Sequence, residues 1–238
     1  MLKTDALFGS RDRKEGTSKP LELRSTSSNI VIVAQNFNPS IPTKDWLQHN
    51  ITGERPNNFV NTPLVSVFET DRFTLTVDQN RFQITMATPM VHEEAVRVAV
   101  AYVKKLPETR YTALGFNYHW EADYTSELER LNDLKAKWAQ IVQATAYFFD
   151  KAGPTVGTVT TGMVKGAKVR IVAEPRNDAA LVVFGINFHF DLPDQQGQEH
   201  VEHLVKLVGQ FTDRFAQAKE MALILLEEEV SVSATTSG

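Results

Sequence analysis

The sequence predicts an α+β protein with an extended antiparallel sheet, long helices packed mainly on one face and an internal pseudo-twofold duplication. Three observations predict this class. One eight-residue strand pattern occurs twice, at residues 114–121 and 184–191. Short strand patterns with alternating apolar residues follow one another closely between residues 64 and 87. Long segments with apolar residues at helical spacing follow both copies of the repeated strand.

The repeated strand has the same order of residue types in both copies. Residues 114–121 read LGFNYHWE and residues 184–191 read FGINFHFD, so the second copy begins 70 residues after the first. Successive side chains of a strand point to opposite faces, so one face is aromatic and aliphatic while the other carries Gly, Asn, His and an acid. We expect the aromatic face to pack under helices, where burial of each ring contributes about 2–3 kcal/mol.

The helices that follow the two strands also match each other. Residues 131–138 and 204–211 carry Leu, Leu, Trp and Leu, Leu, Phe at the same spacing, with an offset of 73 residues. Agreement through a strand and a helix predicts an internal duplication. We expect one compact domain over residues 29–229, made of two pseudo-repeats at about 29–150 and 154–229.

The residues outside this domain are predicted to be tails. Residues 1–28 are polar with mixed charge and then rich in Ser and Thr, without a strand or helix period. We expect a flexible N-terminal tail there, without the apolar segment of a signal peptide. Residues 230–238 are of low complexity and are expected to be disordered.

The first half of the domain begins with a strand at 30–35, an apolar run that ends in turn-rich sequence. A short helix follows at 43–49, with Thr43 as its N-cap. The Gly, Pro and Asn residues of 50–59 predict a loop.

An antiparallel meander and a helix are predicted next. Apolar and polar residues alternate over 73–78 and 82–87, and residues 64–69 form a third strand. The two-residue links between these strands favour hairpins. Apolar residues then recur at helical spacing over 91–106, and Pro107 ends this helix.

The first repeated strand, at about 110–120, is followed by a long helix. Ser126 and Glu129 form a possible capping box at its start, and Gly153 with Pro154 ends it.

The second half repeats this plan in a shorter form. Strands at 155–164 and 168–173 are joined near Lys165 and Gly166, and the repeated strand covers 180–190. One long helix follows Gly197 and runs to the end of the domain.

Composition excludes several classes of site. The chain has 238 residues and no cysteine, which excludes disulfides, zinc ribbons and cysteine nucleophiles. Its net charge of −4 provides no general basic field for nucleic acid. The absence of cysteine fits a cytoplasmic protein, which is the expected location. No apolar run approaches the roughly 18 residues that span a bilayer, so no membrane partner is expected.

The polar face of the repeated strand provides a candidate metal site. If the pseudo-twofold axis brings the two copies side by side, His119, His189, Glu121 and Asp191 converge. Two imidazoles and two carboxylates suit zinc, manganese or iron, and also suit acid–base catalysis. The alternative is that these side chains are partly solvated and the asparagines hold neighbouring backbone, and this alternative is the favoured interpretation.

The end of the last helix is a candidate oligomer interface. Its apolar residues cover nearly the full circumference of the helix, which requires burial on more than one side. Either this segment fills its own core or it packs on another subunit. The residues concerned are Leu223, Ile224, Leu225 and Leu226.

A hairpin near residue 165 is a candidate anion or nucleic-acid contact. Its basic residues are Lys165, Lys168 and Arg170. Other lysines of the chain alternate with acids on predicted helices and are expected to be solvated.

The sequence favours a non-catalytic protein-binding or assembly protein. It has no P-loop, no G-x-S-x-G elbow and no G-x-G-x-x-G motif, and no cofactor is expected. An adaptor, a chaperone-like protein or a complex subunit fits a sheet with a free face or edge. The expected partners are a second copy of the chain, another protein, or both. The alternatives are a metal- or small-ligand-binding protein or enzyme, and a nucleic-acid-binding subunit.

Overall fold

The part of the chain that the structure describes forms one nine-stranded antiparallel sheet together with helices, as the α+β prediction requires. The computed structural model describes residues 21–35, 37–140, 157–176, 179–193 and 195–227. The strands are β1 (Leu23–Gln35), β2 (Asn58–Asn61), β3 (Val65–Glu69), β4 (Phe73–Asp78), β5 (Arg81–Met86), β6 (Arg110–Asp123), β7 (Thr158–Val164), β8 (Ala167–Pro175) and β9 (Leu181–Asp191). The helices are α1 (Lys44–Leu47), α2 (His92–Lys105), α3 (Leu128–Gln140), α4 (Gln198–Val208) and α5 (Phe211–Glu227).

The strands lie side by side in the order β2-β3-β4-β5-β1-β6-β9-β8-β7, and every neighbouring pair is antiparallel. The two repeated strands, β6 and β9, are therefore direct neighbours. The predicted meander is present as β3, β4 and β5. The predicted hairpin turn at Lys165 and Gly166 joins β7 to β8, and both residues have positive φ.

Strand β1 starts at Leu23, seven residues before the predicted start at residue 30. Residues 23–28 therefore belong to the sheet, although the sequence assigns them to a tail. The pairing of β1 with β6 shifts register between Ser25 and Ser27. A bulge of this kind reverses which residues face the core, so the alternating pattern of a strand is interrupted. Residues 1–20 of the predicted N-terminal tail and all of residues 230–238 lie outside the described residues.

Two further elements differ from the sequence prediction. Strand β2 occupies part of the predicted loop at 50–59, and its four residues are too short and too exposed to show a strand period. The prediction of a single final helix is wrong, because a turn at Gly209 and Gln210 separates α4 from α5. Apolar spacing continues across this break, so periodicity alone does not reveal it. The second half of the long helix predicted after Ser126, with Gly153 and Pro154, lies outside the described residues.

The N-terminal ends of the elements follow local chemistry. The predicted N-cap of α1 is confirmed, since Thr43 Oγ1 accepts a hydrogen bond from the backbone N–H of Trp46 at 3.3 Å. Helix α2 carries Glu93 and Glu94 in its first turn and Lys104 and Lys105 in its last turn. Acidic side chains near the N-terminus of a helix and basic side chains near its C-terminus both interact favourably with the helix dipole.

The core lies between the aromatic side of the sheet and the helices. Phe116, Tyr118 and Trp120 of β6 are buried. The ring of Phe211 lies 5.2 Å from that of Phe116 and 5.1 Å from that of Tyr118. The ring of Phe215 lies 5.4 Å from that of Trp120. Helix α5 therefore packs directly on the repeated strand, as the aromatic pattern predicts.

One histidine is enclosed in this core. His92, at the start of α2, is 3% exposed, and its Nε2 lies 2.8 Å from Ser28 Oγ. The rings of Phe211 and Phe215 lie 4.9 Å and 4.6 Å from its imidazole. Burial disfavours the imidazolium and lowers the pKa of His92 from 6.5 to about 4.

Removal of the Phe211 ring is expected to weaken the fold strongly. Phe211→Ala leaves a cavity among three buried aromatic or imidazole rings and lowers the free energy of unfolding by about 3–5 kcal/mol. Leu128→Ala is the control, because Leu128 is 55% exposed and its truncation changes stability by less than about 0.5 kcal/mol. Urea denaturation of both variants measures this difference. Equal stabilities would contradict the packing of α5 on β6.

His92 is expected to make stability fall between pH 6.5 and pH 4. In this interval the unfolded chain binds a proton at this residue and the folded chain does not, so stability decreases as pH decreases. The loss approaches about 1.4 kcal/mol per pH unit and reaches about 3 kcal/mol in total. His92→Gln keeps a donor for Ser28 without this titration, so its stability depends less on pH. Unfolding curves at several pH values for both proteins test this, and identical pH slopes would contradict it.

Candidate functional site

The side of the sheet opposite the aromatic core carries the polar residues of the repeated strand. We call this side the polar face and define it by Asn29 of β1, Asn117 and His119 of β6, and Asn187 and His189 of β9. All five side chains are partly exposed. The register places Asn117 directly opposite Asn187, and the two antiparallel copies of the motif extend in opposite directions from this pair.

Three asparagines form a ladder across the middle of the polar face. Asn187 Nδ2 donates to Asn117 Oδ1 at 2.8 Å, and Asn117 Nδ2 donates to Asn29 Oδ1 at 2.6 Å. The ladder crosses three neighbouring strands, β9, β6 and β1. An amide has both donors and an acceptor, so the middle member can bond on both sides.

His119 lies over a glycine of the neighbouring strand. Gly185 pairs with His119, and a Cβ at Gly185 would lie 3.6 Å from the imidazole Cδ2. The flat ring therefore occupies the space that the missing side chain leaves. Its Nδ1 lies 3.2 Å from Ser27 Oγ of β1. Partial burial lowers the pKa of His119, which favours the neutral imidazole.

His189 has different partners, although it occupies the matching place in the second copy. Its Nε2 lies 3.0 Å from Asp191 Oδ1, and Lys168 Nζ donates to Asp191 Oδ2 at 2.6 Å. The hydrogen bond from Lys168, followed by that from His189, lowers the pKa of Asp191. The two histidines thus have the same sequence surroundings but different hydrogen-bond partners.

The structure does not bring the four predicted metal ligands together. His119 pairs with Gly185 and His189 pairs with Gly115, so the histidines lie four positions apart along the strands, or about 13 Å. Because β6 and β9 are antiparallel and pair at Asn117 and Asn187, the two histidines lie on opposite sides of this asparagine pair. Glu121 forms an ion pair with Arg24 at 2.6 Å. Among the described residues, no group of three or more His, Cys, Asp or Glu side chains is placed to hold a metal ion.

The basic hairpin is partly neutralised. Lys168 is paired with Asp191, while Arg170 is exposed and pairs in register with Thr161. The backbone carbonyl of Lys165 accepts a hydrogen bond from Arg214 Nη2 at 3.1 Å, which ties the hairpin turn to α5. A shallow pocket of about 380 Å³ lies beside the hairpin. It is lined by Thr161, Met163, Lys168, Arg170, Asn187 and His189.

The predicted interface on α5 is only partly available to another subunit. Leu226 is 7% exposed and belongs to the core of its own chain, so it is not a surface residue. Leu225 also packs against the core, while Leu223 is half-buried. Ile224 is 45% exposed. The broad apolar circumference of this segment therefore reflects burial within the chain on at least one side.

Sequence reasoning missed the contribution of β1 to the polar face. Ser27 and Asn29 hydrogen-bond to His119 and Asn117, but they lie in or beside the Ser-rich segment that resembles a tail. It also missed the exposed apolar side chains of β7, Val159 and Met163. Their alternation with Thr160 and Gly162 is a visible signal of a strand with an apolar outer side.

Comparisons with protein-family models and with curated proteins identify no relative. No protein-family model matches the chain, and a search of curated proteins finds no significant match. Within the described part of the chain, no helix has the length and apolar character needed to cross a membrane. Function is therefore inferred from the geometry of the chain itself.

Asn117, the middle asparagine of the ladder, is expected to contribute more to stability than Asn29 at its end. Asn117→Ala removes two side-chain hydrogen bonds and leaves partly buried groups of Asn29 and Asn187 without them, so stability falls by about 1–3 kcal/mol. Asn29→Ala removes one bond and costs about half as much. Chemical denaturation of the two variants and the wild type gives the ordering. A greater loss in Asn29→Ala would contradict the ladder.

Proposed function

We propose that this protein is a non-catalytic binding or assembly protein that acts as an oligomer, in the role of an adaptor, a chaperone-like protein or a subunit of a complex. The observation that carries the proposal is the position of the exposed apolar side chains: among the described residues, five of the seven large ones lie at the two edges of the sheet, and Leu128 and Ile224 lie on helices. Val159 and Met163 of β7 are 58% and 66% exposed. At the other end, Val60 and Leu64 are 42% and 68% exposed.

Ile41 extends the second of these surfaces. Its side chain is 45% exposed. The adjacent Pro42 carbonyl accepts hydrogen bonds from Asn61 Nδ2 and Ser66 Oγ, which places this segment beside β2 and β3. Apolar surface exposed to water costs about 25 cal/mol per Å² relative to burial. Grouped apolar side chains on a surface are typical of sites that bind another protein.

The polar face supports a binding role because its side chains are already engaged with one another. The amide ladder, the Ser27–His119 contact and the Lys168–Asp191 ion pair leave an ordered surface across β1, β6, β9 and β8. Such a surface provides fixed donors and acceptors without rearrangement of its side chains. Preorganisation of this kind lowers the entropic cost of association.

We further infer that the two halves arose by duplication. The repeated strands are neighbours and pair antiparallel at Asn117 and Asn187, so a pseudo-twofold axis between these two asparagines relates each residue of one motif to its counterpart in the other. Helices α3 and α4 follow these strands in the two halves, which supports the same relationship. The helices then pack mainly on one side of a shared sheet, and the polar face is left for a partner.

The mass in solution is expected to be a multiple of the 26.7 kDa chain mass. Light scattering after size exclusion, over a range of concentrations, measures it. A monomer at every concentration would contradict the oligomer.

Leu223→Glu combined with Ile224→Glu tests the interface on α5. We expect this variant to keep the wild-type mass, because Val159 and Met163 at the edge of the sheet, at 58% and 66%, are more exposed than Ile224 at 45%. Dissociation of this variant into folded monomers would move the interface to α5 and leave the proposed function intact.

Leu226→Glu is the comparison that separates folding from assembly. Because Leu226 is 7% exposed, a carboxylate there is buried within its own chain. We expect this change to lower the unfolding temperature rather than to yield a folded monomer.

A further inference from the structure

The two edge strands of the sheet differ in how well they are protected against pairing with a strand of another chain. Strand β2 has four residues, and Asn58 and Asn61 flank its two apolar ones. Strand β7 has seven residues and reads TVTTGMV, with no charged residue and no proline. Its pairing with β8 runs from Thr158 to Val164 without a register shift. Natural sheets usually protect their edges by charge, proline, bulges or short length, and β7 has none of these.

The hairpin turn determines which backbone groups of β7 face outward. Lys165 and Gly166 have φ of 46° and 80°, the conformation of a two-residue type I′ turn. In such a turn the flanking residues, Val164 and Ala167, exchange hydrogen bonds with each other. Bonding then alternates along the strand. The N–H and C=O groups of Val159, Thr161 and Met163 therefore point away from β8, toward the open edge of the described sheet.

The side chains of these same three residues make the edge self-complementary. Val159, Thr161 and Met163 lie on the polar face, because their partners on β8 include Lys168 and Arg170. Val159 and Met163 stand two residues to either side of Thr161. A twofold axis through Thr161 therefore places Val159 of each copy opposite Met163 of the other, and apolar side chains meet at both positions.

We propose that β7 pairs antiparallel with β7 of a second copy, with Thr161 on the twofold axis. This inference rests on the proposed function and names its interface and its partner. The three outward-facing residues of each strand form hydrogen-bonded pairs with those of the other strand. The sheet of one copy continues into that of its partner, and the helices of both copies lie on the same side, because the axis is perpendicular to the sheet.

The charges near the edge are compatible with this pairing. Lys168 and Arg170 lie on β8, one strand inward, and Lys168 is already paired with Asp191. Arg170 of one copy is separated from Arg170 of the other by three strand spacings, or about 14 Å. This distance exceeds the Debye length of about 8 Å at physiological salt, so repulsion between them is weak.

Cysteine cross-linking tests the register, because the natural chain has no cysteine. Thr161→Cys places the two thiols on the axis, at a Cα separation of about 5.5 Å, which a disulfide spans. We expect a covalent dimer under mild oxidation. Val159→Cys is the matched control on the same strand, because its two thiols lie about 13 Å apart and stay unlinked. A mixture of Val159→Cys with Met163→Cys is expected to form the mixed dimer.

Charge introduced at the edge tests whether this pairing holds the oligomer. Val159→Lys combined with Met163→Lys places charges on the edge strand that disfavour pairing with a second β7. We expect this variant to stay folded, with an unchanged circular dichroism spectrum, and to form a smaller assembly by light scattering. Leu64→Lys is the control, because Leu64 is exposed at the opposite end of the sheet. An oligomer that survives the double lysine change, or cross-links that do not follow the predicted register, overturns this interface but not the oligomer. A monomeric wild-type protein overturns both.

Discussion

The pairing of β6 with β9 in a single register is the constraint on which the rest of the structure depends. Side chains of a strand alternate with a period of two, so a slip of one residue would turn every aromatic ring toward water. The register that pairs Asn117 with Asn187 keeps Phe116 and Phe188 on the core side. The amide ladder reinforces this choice, because its bonds form only when the three asparagines are level across the strands. The polar face thus helps to specify the apolar one.

Helix α5 depends on the same register. Phe211 fits between the rings of β6, and its carbonyl accepts a hydrogen bond from the Tyr118 hydroxyl at 2.6 Å. The guanidinium of Arg214 lies over the rings of Phe188 and Phe190, at 5.4 Å and 5.6 Å from their centroids. Its bond to the Lys165 carbonyl then extends this contact to the β7–β8 turn. One aromatic strand pair therefore positions the helix, and the helix in turn holds the hairpin at the end of the sheet.

The sequence was informative where a physical signal is local. Alternation in β4 and β5, the cap at Thr43 and the aromatic side of β6 all depend on spacing within a few residues, and the structure has these features. Whether His119 and His189 converge depends on the register between strands, which no local pattern contains. The repeated motif marks two strands, β6 and β9, that are direct neighbours in the sheet. Antiparallel pairing through their centre then separates the histidines instead of joining them.

A similar limit applies to the first strand and the last helix of the described chain. The first part of β1 looks like a tail because its residues are small and polar, but its backbone groups are paired by β6. Partner strands rather than its own apolar residues keep this segment in the sheet. The apolar end of α5 fits either the core of its own chain or an interface with another subunit, because apolar residues around the whole helix circumference occur in both. Leu226 is buried within its own chain, whereas Ile224 is 45% exposed among the described residues.

The geometry of a strand also links the chemistry of the β7 edge to the polar face. Backbone hydrogen-bond direction and side-chain direction alternate with the same period. Every residue of β7 whose backbone faces the open edge therefore carries its side chain on the polar face. A strand that adds at this edge contacts Val159, Thr161 and Met163, and it lies beside the pocket that Arg170 and His189 line. The partner's side chains on this face then extend the surface that the amide ladder begins. The proposed assembly at the edge and the proposed recognition on the polar face thus both depend on this one alternation.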